Sequence, residues 1–291
     1  MNNPEASISI ILPAYNESEA LKVLLPKLRD KFSLDEIIVV DDGSVDDTQA
    51  ACQANDIKYI RHPYNIGNGA AVKTGARSAT GDILVFMDAD GQHDPADIEK
   101  MVEKLNTGYD MVVGARDTRS QASLGRLFAN AIYNKFASWL SGQKIDDLTS
   151  GLRTARAEKF REFLHLLPNG FSYPTTSTMA FLRSGYSVSY LPIRARKRTG
   201  KSHINLFRDG VRFLLIIMRV STLYAPLKIF IPISAAIFTT GIIHYLYTYF
   251  TMGRFTNMSA VLLLASLLIF LIGLLSEQIT MLLYQKINSR D

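Results

Sequence analysis

The stretch GDILVFMDADGQHDP at residues 81–95 decides how the rest of the chain is read. Asp82 to Met87 is an apolar run of strand length, and it stops at Asp88-Ala89-Asp90-Gly91-Gln92-His93. The same design recurs upstream. Ser7 to Leu12 (SISIIL) leads into a polar loop at Pro13 to Ser18, and Glu36 to Val40 (EIIVV) leads into Asp41-Asp42-Gly43-Ser44. Lys58 to Arg61 reads as a weaker strand, and Met111 to Val113 as a buried one ending at Gly114-Ala115-Arg116. Helical patterns fill the gaps at Glu19 to Phe32, Asp46 to Ala54, Gly69 to Ala79 and Ala96 to Leu105. Alternating strands and helices predict an α/β fold with a mostly parallel sheet. Ligands of open α/β sheets bind beyond the carboxyl ends of the strands, so the three polar strand ends are where a site is expected.

Asp88 and Asp90 stand at i and i+2 where the chain leaves the sheet, so both carboxylates can turn onto one hard cation. Mg2+ or Mn2+ takes oxygen ligands, commonly one or two carboxylates, and completes its shell with water and phosphate. Gln92 can add an amide oxygen, while His93 reads as structural. A pair of solvated loop aspartates would carry the same letters. Asp41 can accept hydrogen bonds from a nucleobase or ribose, and the same segment would also suit a helix cap with a tight glycine turn. Tyr15 can stack on a base and Glu17 can bind ribose; an ordinary proline turn would look the same. Arg116, Arg119 and Arg126 form one basic group, and Arg194, Arg196, Lys197, Arg198 and Lys201 another. Either suits a phosphate, although Arg196 and Lys197 fit better as a strip facing anionic lipid. The sequence has no P-loop, G-x-G-x-x-G, G-x-S-x-G or H-E-x-x-H, which removes support for hydrolases and dehydrogenases.

The 291 residues leave room for a second element beyond one domain. Leu227 to Phe250 is apolar apart from Lys228 and His244, and Ser259 to Ser276 carries no charge. Each is about as long as the roughly 20 residues of a membrane span, so the pair predicts a transmembrane hairpin; two buried core helices are the alternative. Tyr245, Tyr247, Tyr249 and Phe250 suit an interface, and the connecting turn holds only Arg254 while basic residues flank both spans. That bias predicts cytoplasmic flanks and termini. Residues 206–226 alternate arginines and apolar residues as an interfacial helix does, or as an ordinary surface helix. Met1 to Ser7 lacks the pattern of a signal peptide. The single Cys52 excludes an internal disulfide and fits a reducing compartment. A net charge of +5 alone would suit nucleic acid, lipid or phosphorylated substrates. No basic and aromatic interleaving supports nucleic acid.

In order along the chain, ILPAYNE at 11–17, VVDDGSVDDT at 39–48, NIGNGAAVKTG at 65–75, GDILVFMDADGQHDP at 81–95 and GAR at 114–116 resemble the inverting family-2 glycosyltransferases. Among these the resemblance is to the polyprenyl-phosphate sugar transferases, the group of dolichyl-phosphate mannose synthase. It covers about residues 7–205, and the hairpin resembles the two-span anchor of the bacterial members. The resemblance implies a GT-A type nucleotide-diphospho-sugar transferase domain, with Pro13, Tyr15, Glu17, Val40 and Asp41 around the nucleotide. Asp88, Ala89, Asp90 and Gln92 would hold the diphosphate, with Asp88, Asp90 and Gln92 on Mg2+ or Mn2+. Arg116 and Arg126 would face the acceptor phosphate. Asp147, in DDLTSGLR at 146–153, joins Asp88 and Asp90 as a catalytic candidate, since the wider family has an aspartate base near this point. An acceptor that is already a phosphate anion needs a strong base less. Arg198-Thr199-Gly200-Lys201-Ser202 matches an R-x-G-x-S segment that would close on the donor diphosphate, with His203 where a lysine is usual. The Q-x-x-R-W motif of processive synthases is missing, Trp139 being the only tryptophan.

The expected organisation is a catalytic domain at 1–205, an interfacial helix at 206–226, spans at about 227–250 and 259–280 within 227–285, and a tail at 286–291. The expected activity is transfer of a hexose or hexose derivative from a nucleotide-diphosphate sugar to undecaprenyl or dolichyl phosphate, at the cytoplasmic face of a membrane. The alternative is a non-catalytic membrane scaffold or lipid-binding module that keeps the fold. Homo-oligomer contacts, if formed, would use Ser141 to Leu148 and the spans.

Overall fold

A computed structural model of the chain describes residues 6–33, 35–116, 124–170, 172–194 and 222–288, without the side chains of 124–129 and 285–288. The chain forms two compact units, 1–204 and 205–291.

In the first unit, β1 (Ile8–Ala14), α1 (Ser18–Lys31), β2 (Glu36–Asp41), α2 (Thr48–Gln53), β3 (Lys58–Arg61), α3 (Asn68–Ser78), β4 (Ile83–Phe86), α4 (Ala96–Asn106) and β5 (Met111–Arg116) alternate as the sequence pattern predicts. The strands β1, β2 and β4 are near-continuous apolar runs because both their faces are covered. Ile10, Leu12, Ile37, Val39, Ile83 and Val85 face one way, onto Leu21, Leu25 and Leu28 of α1 and Ile98 and Met101 of α4. Each such side chain, fully buried, contributes about 1.5–3 kcal/mol. On the other face α3 lies close to β1 because Gly75 has no side chain: a Cβ there would fall 2.3 Å from Cγ2 of Ile11.

The sequence pattern assigned no strand or helix between Arg116 and residue 206. That segment supplies α5 (Leu124–Ser141), β6 (Arg153–Arg156), α6 (Ala157–Glu162), α7 (Tyr173–Arg183) and β7 (Val188–Ile193). Phe160 of α6 stacks 4.4 Å from Phe86, and Phe163 packs 5.2 Å from Phe181 of α7. The helices therefore cover both faces of the sheet.

The seven strands are ordered β3-β2-β1-β4-β6-β5-β7. Chain order runs outward in one direction from β1 through β2 to β3 and turns back at β4, so the switch point lies between β1 and β4. Four neighbouring pairs are parallel, while β6 runs antiparallel to β4 and β5. That reversed strand matters for the site. It starts where β4 and β5 end, with Arg153 paired to Phe86 and to Val113, so residues 147–152 arrive at the carboxyl edge of the sheet.

In the second unit, helix α8 (Leu227–Met252) ends at Gly253, whose φ of 65° is the left-handed cap that glycine adopts without strain. Helix α9 (Asn257–Asn288) follows and continues through 286–288, where the sequence reading placed a tail. Both helices are long and apolar enough to cross a membrane. Only 6% and 17% of their apolar windows are buried within the chain, whereas core helices of a soluble protein are mostly buried. The two pack through small residues, as apolar helices do when burial from water is not the driving force. Gly241 admits Leu262 and Leu263, Gly273 admits Phe230, and Ser234 Oγ donates to the carbonyl of Ser266 at 2.8 Å. Residues 206–221, most of the expected interfacial helix, lie outside the described residues.

Candidate active site

The exits of β1 and β2 are tied into one support. Asn16 adopts a φ of 55°, which its short amide side chain tolerates. It donates its N–H to Ser44 Oγ (2.8 Å) and accepts from the Val45 N–H (2.9 Å). Asp46 reaches across to accept the Ser18 N–H at the start of α1 (2.9 Å). Asp41 is buried, and both of its carboxylate oxygens serve the fold: Oδ1 accepts from Ser44 N (2.8 Å) and Oδ2 from the Tyr59 hydroxyl (2.5 Å). Burial and this bond to Asp41 push the Tyr59 phenol up. Asp42 likewise accepts from Ile66 N, Gly67 N and His62 Nδ1, and the other nitrogen of His62 meets Thr74. Both aspartates are thus bonded to the neighbouring turns, and the Val40 side chain is wholly inside the core. Pro13 is buried in β1, and Glu17 is partly exposed at the N-terminus of α1. Of the residues assigned to the nucleotide, Tyr15 presents the most open surface, at 46% exposed.

Next to this support, Met87 donates its N–H to Ile11 O (3.1 Å), which sets the residues after β4 beside the exit of β1. Asp88 is half-buried and Ala89 is buried. Asp90 is half-buried and accepts the Gln92 N–H at 3.1 Å, a turn closed by Gly91. Burial raises the proton affinity of Asp88, and the charge of Asp90 adds to this; His93, Arg116 and Arg153 act the other way. His93 is buried, which lowers its pKa against the opposing charges of Asp88 and Asp90, and its Nδ1 has no hydrogen-bond partner among the described residues. Among the described residues no three His, Cys, Asp or Glu side chains converge. A cation here would be held by Asp88 and Asp90 with few other protein donors. That donor set fits Mg2+ or Mn2+, which keep positions for water and phosphate, and does not fit a closed protein cage. A cavity of about 610 Å³ opens beside this corner, and Glu17, Asn16, Asp90 and His93 share its wall with the first turns of α1.

The third cluster joins two residues that the sequence reading assigned separately. Arg116, the last residue of β5, grips Asp147 with Nε on Oδ2 (2.8 Å) and Nη2 on Oδ1 (3.0 Å). Its backbone N–H adds a third bond to Oδ2 (3.2 Å). Thr149 completes the knot, donating its N–H to Asp147 Oδ1 and accepting from Arg116 Nη2. Burial would raise the Asp147 pKa, but the Arg116 bonds and charge outweigh it and hold the carboxyl below its ordinary value. The carboxylate thus fixes the direction of the Arg116 side chain. The Arg126 side chain, Arg198 and Ser202 lie outside the described residues.

The sequence reading quoted Gly151 and Arg153 only within DDLTSGLR and gave them no role of their own. Gly151 lies directly under the Asp88 carboxylate, and Arg153 is wholly buried behind it. The available signal was an arginine inside a short strand, two places after a glycine. The lone Cys52 is buried, and burial with the nearby Asp41 charge pushes its thiol up to about 11, which leaves it inert.

Residues 9–164 match the family model described as glycosyl transferase family 2. The chain belongs to that family. It is a glycosyltransferase, and its residues 225–282 match a second model, the GtrB C-terminal hairpin. The chain is 28% identical to CsbB of Bacillus subtilis over 297 residues, 96% of this chain and 88% of that one. It is 28% identical to the glycosyltransferase AglJ of Haloferax volcanii over 83% of this chain and 80% of that one. It is also 32% identical to an undecaprenyl-phosphate 4-deoxy-4-formamido-L-arabinose transferase of Yersinia pestis, over 60% of this chain and 59% of that one. Among solved structures, glucosyl-3-phosphoglycerate synthase of Mycobacterium tuberculosis, crystallised with Mn2+, UDP and glucosyl-3-phosphoglycerate, superposes with a TM-score of 0.60. The alignment covers 75% of this chain and 80% of that one at 22% identity, a likeness of fold.

Proposed function

We propose that this family-2 glycosyltransferase moves a hexose or hexose derivative from a nucleotide-diphosphate sugar to a polyprenyl phosphate, with inversion, at the cytoplasmic face of a membrane. One observation carries the proposal: a chain with an Asp88/Asp90 pair at the switch point of its sheet also ends in a hairpin of two membrane-length helices. The undecaprenyl-phosphate substrate named for the Yersinia relative supports the acceptor class.

Tyr15 offers its exposed ring to the nucleobase, and Glu17 is placed for the ribose on the cavity it shares with Asp90. Asp88 and Asp90, with the Gln92 amide, would hold Mg2+ or Mn2+, which supplies charge neutralisation to the departing nucleotide diphosphate. Arg116 spends Nε and Nη2 on Asp147 and Thr149, and its Nη1 edge makes no bond among the described residues. That edge, aimed by Asp147, binds the acceptor phosphate. The lowered pKa of Asp147 agrees with an acceptor that arrives deprotonated and needs positioning more than a base.

The test is to incubate the purified full chain with undecaprenyl or dolichyl phosphate and a panel of radiolabelled sugar nucleotides, with and without Mn2+. Label in a lipid product that depends on the metal is expected. Nucleotide binding without labelled lipid for any pair would overturn the proposal in favour of a scaffold that has kept the fold.

A further inference from the structure

Arg153 is the largest fully buried side chain among the described residues, and its hydrogen bonds are all to neutral groups. Nη2 donates to the carbonyl of Ser150 (2.6 Å), and Nη1 to the carbonyl of Pro174 (2.8 Å) and the hydroxyls of Ser177 (2.7 Å) and Thr178 (3.2 Å). Its Nε has no partner among the described residues. Burying a guanidinium without a carboxylate against it is costly, so what it holds in place is informative.

It holds the turn that leads into β6. The Ser150 carbonyl is fixed by Arg153. The following carbonyl, of Gly151, accepts from the Tyr173 hydroxyl (3.4 Å), and the Tyr173 ring centroid lies 5.7 Å from the Arg153 guanidinium carbon. The free face of Gly151 is covered by the Asp88 carboxylate. A Cβ there would stand 2.1 Å from Oδ2, 2.7 Å from Cγ and 2.8 Å from Oδ1, so no other residue fits while Asp88 keeps its place. The antiparallel pairing of β6 with β4 brings these sequence-distant residues together. Contact therefore runs without a break from α7 through Arg153 and the Ser150-Gly151 turn to Asp88.

We infer that Gly151 and Arg153 are positioning residues for the cation site: Gly151 is the floor on which the Asp88 carboxylate lies, and Arg153 clamps that floor to α7. The inference rests on the reading that Asp88 and Asp90 hold a divalent cation. The charge of Arg153 is felt by both Asp88 and Asp147, so the clamp also supplies fixed positive potential behind the site.

The measurement is Mn2+ affinity of the purified full chain in detergent, read from the paramagnetic resonance of free Mn2+ with no donor or acceptor present, alongside the melting temperature. Gly151→Ala is expected to weaken Mn2+ binding about 10- to 100-fold, as loss of a supporting contact behind a metal ligand does. Arg153→Lys keeps the charge but cannot span the Ser150 and Pro174 carbonyls as a fork does, and is expected to weaken Mn2+ binding by a smaller factor. It also serves where Gly151→Ala does not fold. Val112→Ala, which trims a buried core side chain on the strand paired with β6, is the control for general loosening: it is expected to lower the melting temperature and leave Mn2+ affinity unchanged. Wild-type affinity in a folded Gly151→Ala or in Arg153→Lys would overturn the inference, as would a loss of Mn2+ affinity in Val112→Ala that matches its loss of melting temperature. A wild-type chain that takes up no Mn2+, or an Asp90→Asn variant that takes it up undiminished, would instead bring down the underlying metal reading, and this inference with it.

Discussion

Replacing Asp147 by Asn separates its two readings, base and orienter. The carboxylate accepts two bonds on Oδ2, from Arg116 N and Nε, and three on Oδ1, from Arg116 Nη2 and from the Thr149 N–H and hydroxyl. Asn keeps an oxygen for one set and presents an amino group to the donors of the other. Bonds to charged groups contribute about 1.5–3 kcal/mol each, and removing one member of a buried pair costs about 3–5 kcal/mol. The Arg116 side chain is 26% exposed and can recover some hydration, so the lower end, about 3 kcal/mol, is expected. Chemical denaturation of the full chain in detergent at pH 7 reads it. The pH dependence has a fixed sign. Asp147 has a folded-state pKa below its ordinary 3.8, so its contribution is fully present above that value and is lost as pH falls through the folded pKa. The gap between wild type and variant should be constant from pH 5 to 7 and close only below about pH 4. In turnover, an orienter of Arg116 predicts a raised KM for the lipid phosphate. A variant of unchanged stability and KM whose kcat alone collapses would refute this reasoning and restore Asp147 as the base.

Three further outcomes are expected. Asp88→Asn and Asp90→Asn should each abolish transfer and weaken Mn2+ binding while membrane insertion persists; full transfer in either variant would remove the metal assignment. Tyr15→Ala should leave the melting temperature unchanged, because the ring is half exposed, and should raise the KM for the sugar nucleotide about 10-fold, the scale of one lost base-stacking contact. An unchanged KM would move the nucleobase elsewhere. Gly273→Val would force Phe230 away, since a Cβ there meets the Cβ of Phe230 at 2.5 Å, and should lower the thermal stability of the hairpin in detergent. A wild-type melting curve would show that the helices part at little cost.

The sheet was legible up to Arg116 because parallel strands buried on both faces must be written as short apolar runs, and each run here ends abruptly in polar residues. Past that point the code weakens. β6 is Arg-Thr-Ala-Arg, with a buried arginine at its head, so hydropathy gives no sign of a strand inside the sheet, between β4 and β5. Helix α7 is almost wholly buried yet opens with Tyr-Pro-Thr-Thr-Ser-Thr, and its hydroxyls are turned inward where the Pro174 carbonyl and Arg153 satisfy them. Polar residues that bond to one another inside a core look like loop when read along the chain.

The same blindness limits the reading of the site. Asp88 and Asp90 stand out as candidates because their spacing is local: two residues apart, at the end of one strand. Asp41 has a similar address, and its carboxylate also bonds to Ser44 and Tyr59; nothing in the letters Asp-Asp-Gly-Ser says that both aspartates bind neighbouring turns. Arg116 and Asp147, 31 positions apart, were assigned an acceptor contact and a base as if independent, and they are one ion pair. Gly151 and Asp88 are 63 positions apart and touch only because β6 runs against its neighbours. A catalytic carboxylate announces itself by its place on a strand; the groups that set its direction are fixed by strand order, which a single sequence does not display.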